Sequence, residues 1–161
     1  PYTGESVALV PAANPDVALI HVSRADRYGN AQLFGQLSNN DILARAARHV
    51  IVTCEDLIST EEVRRLPNCT TVPFYCVDAV CVVPYCAHPW NMPYYYVYDL
   101  AFRMDYARQV STLEGWEKWL EEWIYSVDDW NGYCSKVGWE RLHTLTMLER
   151  MFCPRPGEVQ I

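Results

Sequence analysis

One stretch decides the fold, and it reads Val17-Ala18-Leu19-Ile20-His21-Val22, bounded by the turn residues Asn14-Pro15-Asp16. An apolar run of this length is typical of a strand buried on both faces, as in a parallel sheet. A second such run is Val50-Ile51-Val52-Thr53-Cys54. Between them, residues 40–49 place their apolar side chains on one stripe, as an amphipathic helix does. The strand–helix–strand order predicts that the two strands are parallel and adjacent in one sheet.

Local sequence signals predict further elements C-terminal to this unit. The segments Thr70–Pro73 and Tyr75–Val83 predict short strands, and Val77–Val83 is the better defined part. Ser59-Thr60-Glu61-Glu62 is a capping box that opens a short helix ending before Pro67. The chain is therefore expected to have an α/β fold with an open, mostly parallel sheet.

The last third of the chain has a helical pattern. Ser111-Thr112-Leu113-Glu114 predicts a second capping box, and the tryptophans after it recur at helical spacing, as in a packing face. Asp128 or Asp129 is expected to cap another short helix, which Gly138 ends before a helix over Trp139–Phe152. We expect a single domain over residues 1–161, with a sheet-forming half to about residue 98 and a helical tail from about residue 99.

Composition excludes several classes of partner. The chain has 161 residues, a net charge of −7 and 13 scattered Lys and Arg residues. A nucleic-acid binder needs a basic stripe, and an acidic surface is repelled by anionic lipid, so neither partner is expected. No apolar run has the length of a membrane span, and no signal peptide is recognisable at a start that reads Pro1-Tyr2-Thr3-Gly4-Glu5. A chain that opens on Pro rather than Met is expected to be part of something longer.

The cysteines indicate a reducing, cytoplasmic environment. There are seven, an odd number in a chain large enough to fold without disulfides. Cys76, Cys81, Cys86 and His88 are close enough in sequence to raise a zinc site as an alternative. Cys76 and Cys81 flank the predicted third strand, however, and their odd spacing places their side chains on opposite faces. Buried apolar cysteines are therefore favoured over a metal site.

The sequence contains no self-sufficient catalytic motif. It lacks a G-x-S-x-G elbow, a glycine-rich phosphate loop, an H-E-x-x-H pair and a C-x-x-C pair. Two loops at predicted strand ends carry polar groups, namely Arg24–Gln32 and the segment around His88. Ligands gather at such ends in open α/β sheets. From the residues alone, a ligand site and a well-made turn with an Asp26–Arg salt bridge are both open interpretations of the first loop.

The stretch from Asn14 to Gln32, with Ala-Asp-x-x-Gly-Asn after a buried strand, resembles the A subunit of family I CoA-transferases, in particular glutaconate CoA-transferases. Similar segments follow in the same order, at Pro1–Glu5, Val50–Glu55 and Val77–Pro89, and in the tail. The resemblance therefore covers nearly the whole chain. One departure is Cys86, where the family commonly has glycine and where the added bulk lies beside His88.

The resemblance implies that the chain matches only the C-terminal part of an A subunit. It also implies two partners, the N-terminal half of the A subunit and a B-type subunit, and a coenzyme A thioester as substrate with no covalently bound cofactor. In the family, the thioester is attacked by a glutamate that is usually on the B subunit, and the resulting glutamyl-CoA thioester passes CoA to a carboxylic acid. We expect no catalytic residue in this chain, because Glu55 is as well explained as a capping or surface group. The expected contributors to the acyl or CoA pocket are Arg24, Asp26, Gly29, Asn30, Gln32 and His88.

Two alternatives to a transferase remain open from the sequence. One is a related A/B hydrolase that cleaves a carbon–carbon bond in a CoA-linked ring-degradation intermediate, and the other is a binding or assembly module without catalysis. The aromatic tail and the segment Tyr94–Tyr98 are further expected to expose apolar surface. Large exposed apolar patches mark interaction sites, which predicts a homodimer or docking to the two partners that the resemblance implies.

Overall fold

The computed structural model describes residues 3–36 and 38–153 and shows an open sheet of five strands in the order β4-β2-β1-β3-β5. The strands are β1 (Val17–Asp26), β2 (Ala31–Gln32), β3 (His49–Ile58), β4 (Thr70–Val72) and β5 (Ala79–Val82). β1 and β5 both pair with β3 in parallel, whereas the short β2 is antiparallel to β1 and β4. The predicted α/β fold and the parallel pairing of the first two strands are confirmed. The sheet is mixed, since only its three longer strands are parallel.

The two central strands extend further than their apolar runs. The β1–β3 register continues from Arg24↔Asp56 to Asp26↔Ile58, beyond the predicted ends at Val22 and Cys54. The prediction that Arg24 and Asp26 lie in a loop is therefore wrong, because backbone pairing continues where the side chains become polar. β5 is shorter than predicted, since Val77 follows a 3-10 turn over Phe74–Cys76. Cys81 lies inside β5, as the range Val77–Val83 predicts, so the two cysteines do not flank the strand.

The helices are α1 (Asn40–Ala46), α2 (Thr60–Arg65), α3 (Leu100–Gln109), α4 (Leu113–Leu120), α5 (Trp130–Val137) and α6 (Trp139–Phe152), with a π-helical turn over Glu121–Tyr125. The capping box at α2 is confirmed, because Ser59 Oγ accepts a hydrogen bond from Glu62 N and Glu62 Oε2 accepts one from Ser59 N. The second capping box is wrong. α4 is capped by Thr112, whose Oγ1 accepts from Gly115 N at 3.1 Å, and glycine has no side chain to return the bond.

One face of the sheet is largely covered and the other is only partly covered. Toward α1, it buries Ile20 and Val52 against Ala44 of that helix. On the opposite face, Leu19 is 73% exposed and Val17 is 51% exposed, although parallel sheets normally have both faces covered. The prediction that the first strand is buried on both faces is therefore wrong for the described residues.

The tail forms a second hydrophobic core with the irregular segment that follows β5. Tyr95 and Tyr96 pack there with Cys134 and Leu142, and both tyrosines are buried. The prediction that Tyr94–Tyr98 exposes apolar surface is wrong, because α5 and α6 fold back over this segment. Exposed apolar residues do occur in the tail, among them Tyr125 and Phe152.

Some predictions concern residues beyond the described part of the chain. Pro1 and Tyr2 of the N-terminal resemblance, and residues 154–161 of the tail, lie outside the described residues. The extent of the domain therefore stays a prediction. Within residues 3–36 and 38–153, no helix combines the length and the apolar character needed to cross a membrane.

Candidate functional site

The Ala-Asp-x-x-Gly-Asn motif forms the tight turn between β1 and β2. Asp26 is fully buried, and its Oδ1 accepts hydrogen bonds from the backbone N–H groups of Tyr28 and Asn30, both at 3.0 Å. Asn30 Nδ2 donates to Asp26 Oδ2 at 2.9 Å, and Asn30 Oδ1 accepts from Phe74 N at 3.3 Å. The two side chains therefore hold the turn closed and attach it to the segment after β4.

The pKa of Asp26 reflects this arrangement. Burial by itself raises the pKa, but the hydrogen bonds from Asn30, Thr60 and Tyr28 outweigh burial and lower it below its usual value. The Asp26–Arg salt bridge considered from the sequence is not among the ion pairs of the described residues. Amide donors take its place, because they reach both carboxylate oxygens from within the turn.

Gly29 is required twice in this turn. Its φ is +99°, a backbone region that favours glycine, and a Cβ atom at this position would lie 2.7 Å from Val77 Cβ. Val77 packs against the sheet core, which restricts how far its side chain can shift.

We expect Gly29→Ala to lower the free energy of unfolding by about 1–2 kcal/mol more than Gly138→Ala. Gly138 has a similar φ of +100°, but its Cβ would meet nothing closer than Arg141 Cβ at 4.0 Å. The comparison, made by urea unfolding, separates the contact with Val77 from the backbone strain that both variants share. Equal losses in the two variants would contradict the proposed role of the close approach.

Arg24 and Gln32 lie across the same hairpin and bind each other. Gln32 is fully buried, its Oε1 accepts from Arg24 Nε at 2.8 Å, and its Nε2 donates to the Leu66 carbonyl at 3.1 Å. The Arg24 guanidinium lies 4.9 Å from the Phe34 ring centroid. The polar groups expected to face a ligand are thus engaged within the protein.

His88 lies in a separate buried cluster beside the helical tail. Its side chain is fully buried, with Nδ1 2.7 Å from the Tyr133 hydroxyl and Nε2 3.1 Å from Asp99 Oδ2. Arg141 makes two hydrogen bonds of 2.7 Å to the Asp99 carboxylate. Within the described residues, no hydrogen bond or ion pair joins His88 to the hairpin, so the structure brings the first five candidate residues together and places the sixth apart.

Electrostatics in the His88 cluster follow from burial and from Arg141. Burial lowers the pKa of His88, and the neighbouring Asp99 only partly opposes this. Burial raises the pKa of Asp99, but hydrogen bonds from Arg141, from the backbone of Phe102 and from His88 lower it to about 2. The cluster is therefore best described as a neutral imidazole beside an ionised carboxylate that accepts several hydrogen bonds.

Sequence reasoning missed a third group, centred on Glu55. This residue lies within β3, and it is only 5% exposed. Oε1 lies 2.7 Å from His21 Nε2 and accepts from the Tyr96 hydroxyl at 2.5 Å, while Oε2 accepts from Tyr85 N at 2.7 Å. The interpretation of Glu55 as a capping or surface group is wrong. The parallel register pairs His21 with Thr53, and Glu55, two residues further along β3, points to the same face. The alternation of side chains along the two predicted strands could have indicated this grouping.

Glu55 is not presented to a substrate in this arrangement. The cavity beside it, between Tyr85 and Thr146, has a volume of about 120 Å³, which suits a few waters but not an acyl thioester. Burial and the nearby Glu55 raise the pKa of Tyr96, so its hydroxyl stays a donor. The Glu55 carboxylate contacts three neighbours, and through Tyr85 N it holds the start of the loop after β5 in place.

The predicted zinc alternative has no support among the described residues, where no three His, Cys, Asp or Glu side chains form a group able to hold a metal ion. All seven cysteines are free thiols. Burial raises the pKa of Cys54 and Cys134 to about 11, so these two are packing residues rather than nucleophiles.

Comparison with known proteins identifies the family of this chain. The sequence model of the Coenzyme A transferase family matches residues 1–82. The chain is 38% identical to the A subunit of glutaconate CoA-transferase from Acidaminococcus fermentans over 145 residues, which are 90% of this chain and 45% of that protein. The chain belongs to the coenzyme A transferase family.

Solved structures and other relatives extend the likeness of this CoA-transferase-family chain. The crystal structure of glutaconate coenzyme A-transferase from A. fermentans superposes with a TM-score of 0.83, covering 89% of this chain and 45% of that chain. The A subunit of 3-oxoadipate CoA-transferase from Pseudomonas knackmussii is 34% identical and is matched over 85% of this chain and 48% of its own length. The cholesterol ring-cleaving hydrolase IpdA subunit of Rhodococcus jostii is 29% identical over the same shares. The chain spans about half the length of the curated relatives it matches.

Proposed function

We propose that this chain is part of the A subunit of an acyl-CoA:carboxylate CoA-transferase. It supplies framework and part of the acyl or CoA pocket, while the glutamate nucleophile lies on a B-type partner subunit. The observation that carries the proposal is the superposition with glutaconate coenzyme A-transferase over 89% of the chain. The subunits named in that relative and in the 3-oxoadipate enzyme support an A/B assembly.

The state of Glu55 supports placing the nucleophile on another subunit. Transfer through a glutamyl-CoA thioester needs a carboxylate that can attack the thioester carbonyl, with hydrogen-bond donors for the oxyanion. Glu55 already accepts from Tyr96 and Tyr85 and lies against His21. No described cavity beside it admits an acyl thioester.

The exposed part of the sheet supports further polypeptide partners. Leu19 and Val17 form an uncovered apolar patch on a parallel strand, where such sheets carry a helix layer. We propose that the rest of the A subunit or the B subunit covers this patch, with a homodimer as the remaining arrangement. The seven free thiols support a cytoplasmic setting for the assembly.

The hairpin remains the proposed pocket region, with its residues in defined roles. Asp26, Gly29 and Asn30 shape the turn, Arg24 and Gln32 brace it, and His88 forms a buried polar wall on the tail side. A pocket of about 490 Å³ opens beside the turn, lined by Arg27, Tyr28 and the start of α2. Its size suits a cofactor-sized ligand.

The test is CoA exchange between an acyl-CoA and a free carboxylic acid. We expect no exchange by this chain alone and measurable exchange by the complete A/B assembly. Borohydride or hydroxylamine trapping, followed by mass spectrometry, should leave Glu55 unmodified and place the glutamyl adduct on the partner subunit. An adduct on Glu55 would overturn the assignment of the nucleophile.

The likeness to the ring-cleaving hydrolase subunit favours a second candidate, a hydrolase acting on a CoA-linked ring. The same assembly then releases a ring-opened CoA product in the presence of water and exchanges no CoA with the added acid. An assembly that does neither, and that binds no CoA ester, supports a module without catalysis.

Asn30→Ala in the complete assembly is expected to lower turnover by about tenfold and the free energy of unfolding by about 1–2 kcal/mol. Loss of its two bonds shifts the hairpin that borders the proposed pocket. Asn39→Ala is the matched control, because the side chain of Asn39 makes no capping bond to α1. A variant that loses stability but keeps full turnover would contradict a role for the hairpin in the pocket.

A further inference from the structure

A large groove lies between the segment after β5 and the helices α3, α4 and α5. Its volume is about 620 Å³, and we call it the aromatic groove. It is lined principally by five of the six tryptophans of the chain and one arginine, namely Trp90, Arg103, Trp116, Trp119, Trp123 and Trp130. The sequence-based interpretation of these tryptophans as a packing face is incomplete, since Trp90 is 56% exposed and Trp116 is 37% exposed.

The rings are arranged as flat walls around an open space. Trp116 and Trp119 are stacked with an interplanar angle of 10° and ring centroids 5.9 Å apart. The π-helical turn after α4 carries Trp123, which meets Phe102 edge to face at 4.8 Å. Such turns occur frequently at functional sites. A groove of this size with apolar, aromatic walls is typical of small-molecule sites.

The charge of the groove selects the kind of ligand. The Arg103 guanidinium carbon lies 3.7 Å from the Trp90 ring centroid and 5.3 Å from that of Tyr98. Among the described residues, no carboxylate forms an ion pair with Arg103. Lys136 similarly lies over the Trp123 ring. Because the protein's own cations already occupy these ring faces, a cationic ligand is disfavoured, and Arg103 has donors free for an anion.

Two other polar side chains of the groove are already engaged. His88 contacts Tyr133 and Asp99 through its two ring nitrogens. Asp129, the acidic residue in the lining, caps α5 by accepting from Gly132 N at 2.7 Å. Arg103 is the cationic side chain of the lining, and its donors remain for a ligand anion.

We propose that the aromatic groove binds an organic carboxylate with a flat, apolar body. The body lies among the tryptophan rings, and the carboxylate pairs with Arg103. This inference does not depend on CoA transfer, because it rests on the lining and charge of the groove alone.

Isothermal titration calorimetry tests the proposal with three probes that share one ring system, 2-naphthoate, 2-naphthamide and 2-naphthylmethylammonium. The protein is the chain together with any subunit that copurifies with it. We expect 2-naphthoate to bind about tenfold more tightly than the amide and more tightly still than the ammonium probe. Stronger or equal binding of the neutral or cationic probe would overturn the charge argument, and no binding of any probe would overturn the site.

Variants locate the binding. Arg103→Gln should abolish the tenfold preference for the carboxylate, whereas Arg108→Gln on the same helix, where Arg108 pairs with Asp105, should leave it unchanged. Trp119→Leu should weaken 2-naphthoate and 2-naphthamide alike by about fivefold. Trp139→Leu, outside the groove, should weaken neither. Binding that is insensitive to both Arg103→Gln and Trp119→Leu would place the probe elsewhere.

Discussion

Replacing Glu55 by alanine is expected to lower the free energy of unfolding by about 4 kcal/mol. The substitution removes the acceptor of the Tyr96 hydroxyl and of Tyr85 N, and it also removes the neighbour of His21 Nε2. Two donors therefore lose their acceptor in a largely buried site. Tyr96 is only 1% exposed, so its hydroxyl loses this acceptor within the second core. Urea unfolding followed by circular dichroism measures the loss.

Two variants define the controls for this prediction. Glu61→Ala removes an exposed carboxylate that pairs with Arg64 on α2, and it should cost less than about 0.5 kcal/mol. Glu55→Gln keeps the shape and one acceptor oxygen, and it should recover part of the loss. If Glu55→Ala and Glu61→Ala lower the free energy of unfolding equally, the hydrogen bonds of Glu55 do not stabilise the fold. A catalytic role for Glu55 would then have to be tested.

Replacing Asp99 by alanine is expected to cost about 3–4 kcal/mol. Asp99 caps α3 by accepting from Phe102 N at 3.0 Å, and it holds Arg141 and His88 through the same carboxylate. Its loss therefore releases a helix start and the contact between α6 and the segment after β5. Asp129→Ala, which removes only the cap of α5, should cost about 1 kcal/mol and is the matched control.

The pH dependence of stability distinguishes this network from simple packing. Because the folded pKa of Asp99 is about 2, below its usual 3.8, the carboxylate contributes stability above about pH 4. We expect that contribution, about 2 kcal/mol, to be lost as the pH falls from 4 toward 2. His88, whose pKa is lowered, adds a loss that begins below its usual value of 6.5, since the unfolded chain then binds a proton that the folded chain does not. Asp99→Asn should remove the step between pH 4 and 2, and a step that persists would assign it to another carboxyl.

Several features followed from the sequence because they depend on local chemistry. The apolar runs at Val17–Val22 and Val50–Cys54 predict adjacent parallel strands, and backbone pairing follows. The capping box at Ser59, the cap at Asp129 and the break at Gly138 depend on residues a few positions apart. The Ala-Asp-x-x-Gly-Asn motif also suggested a turn as one of two interpretations. In the structure, almost all hydrogen bonds of that turn are internal to it.

The tertiary structure decided what those residues contact. β1 continues to Asp26 because its backbone pairs with that of β3 beyond the apolar run. Hydropathy patterns in the sequence do not predict this backbone pairing. Tyr96 is buried because the tail folds back over its segment, although the proline- and tyrosine-rich local sequence shows neither helical nor strand periodicity.

The same division holds for the candidate site. By itself, the sequence predicted the α/β class and contained no self-sufficient catalytic motif, because both depend on residues close together in the chain. It left the segment Asp26–Asn30 open between a turn and a ligand site. Only the tertiary structure gathered His21, Glu55 and Tyr96 into one buried group and set Arg103 among the tryptophans of the tail. The physical reason is that hydrogen bonds and ring contacts act over a few ångströms in space. The bonded pairs His21–Glu55 and Glu55–Tyr96 lie 34 and 41 positions apart in the sequence, so they meet only when the chain is packed.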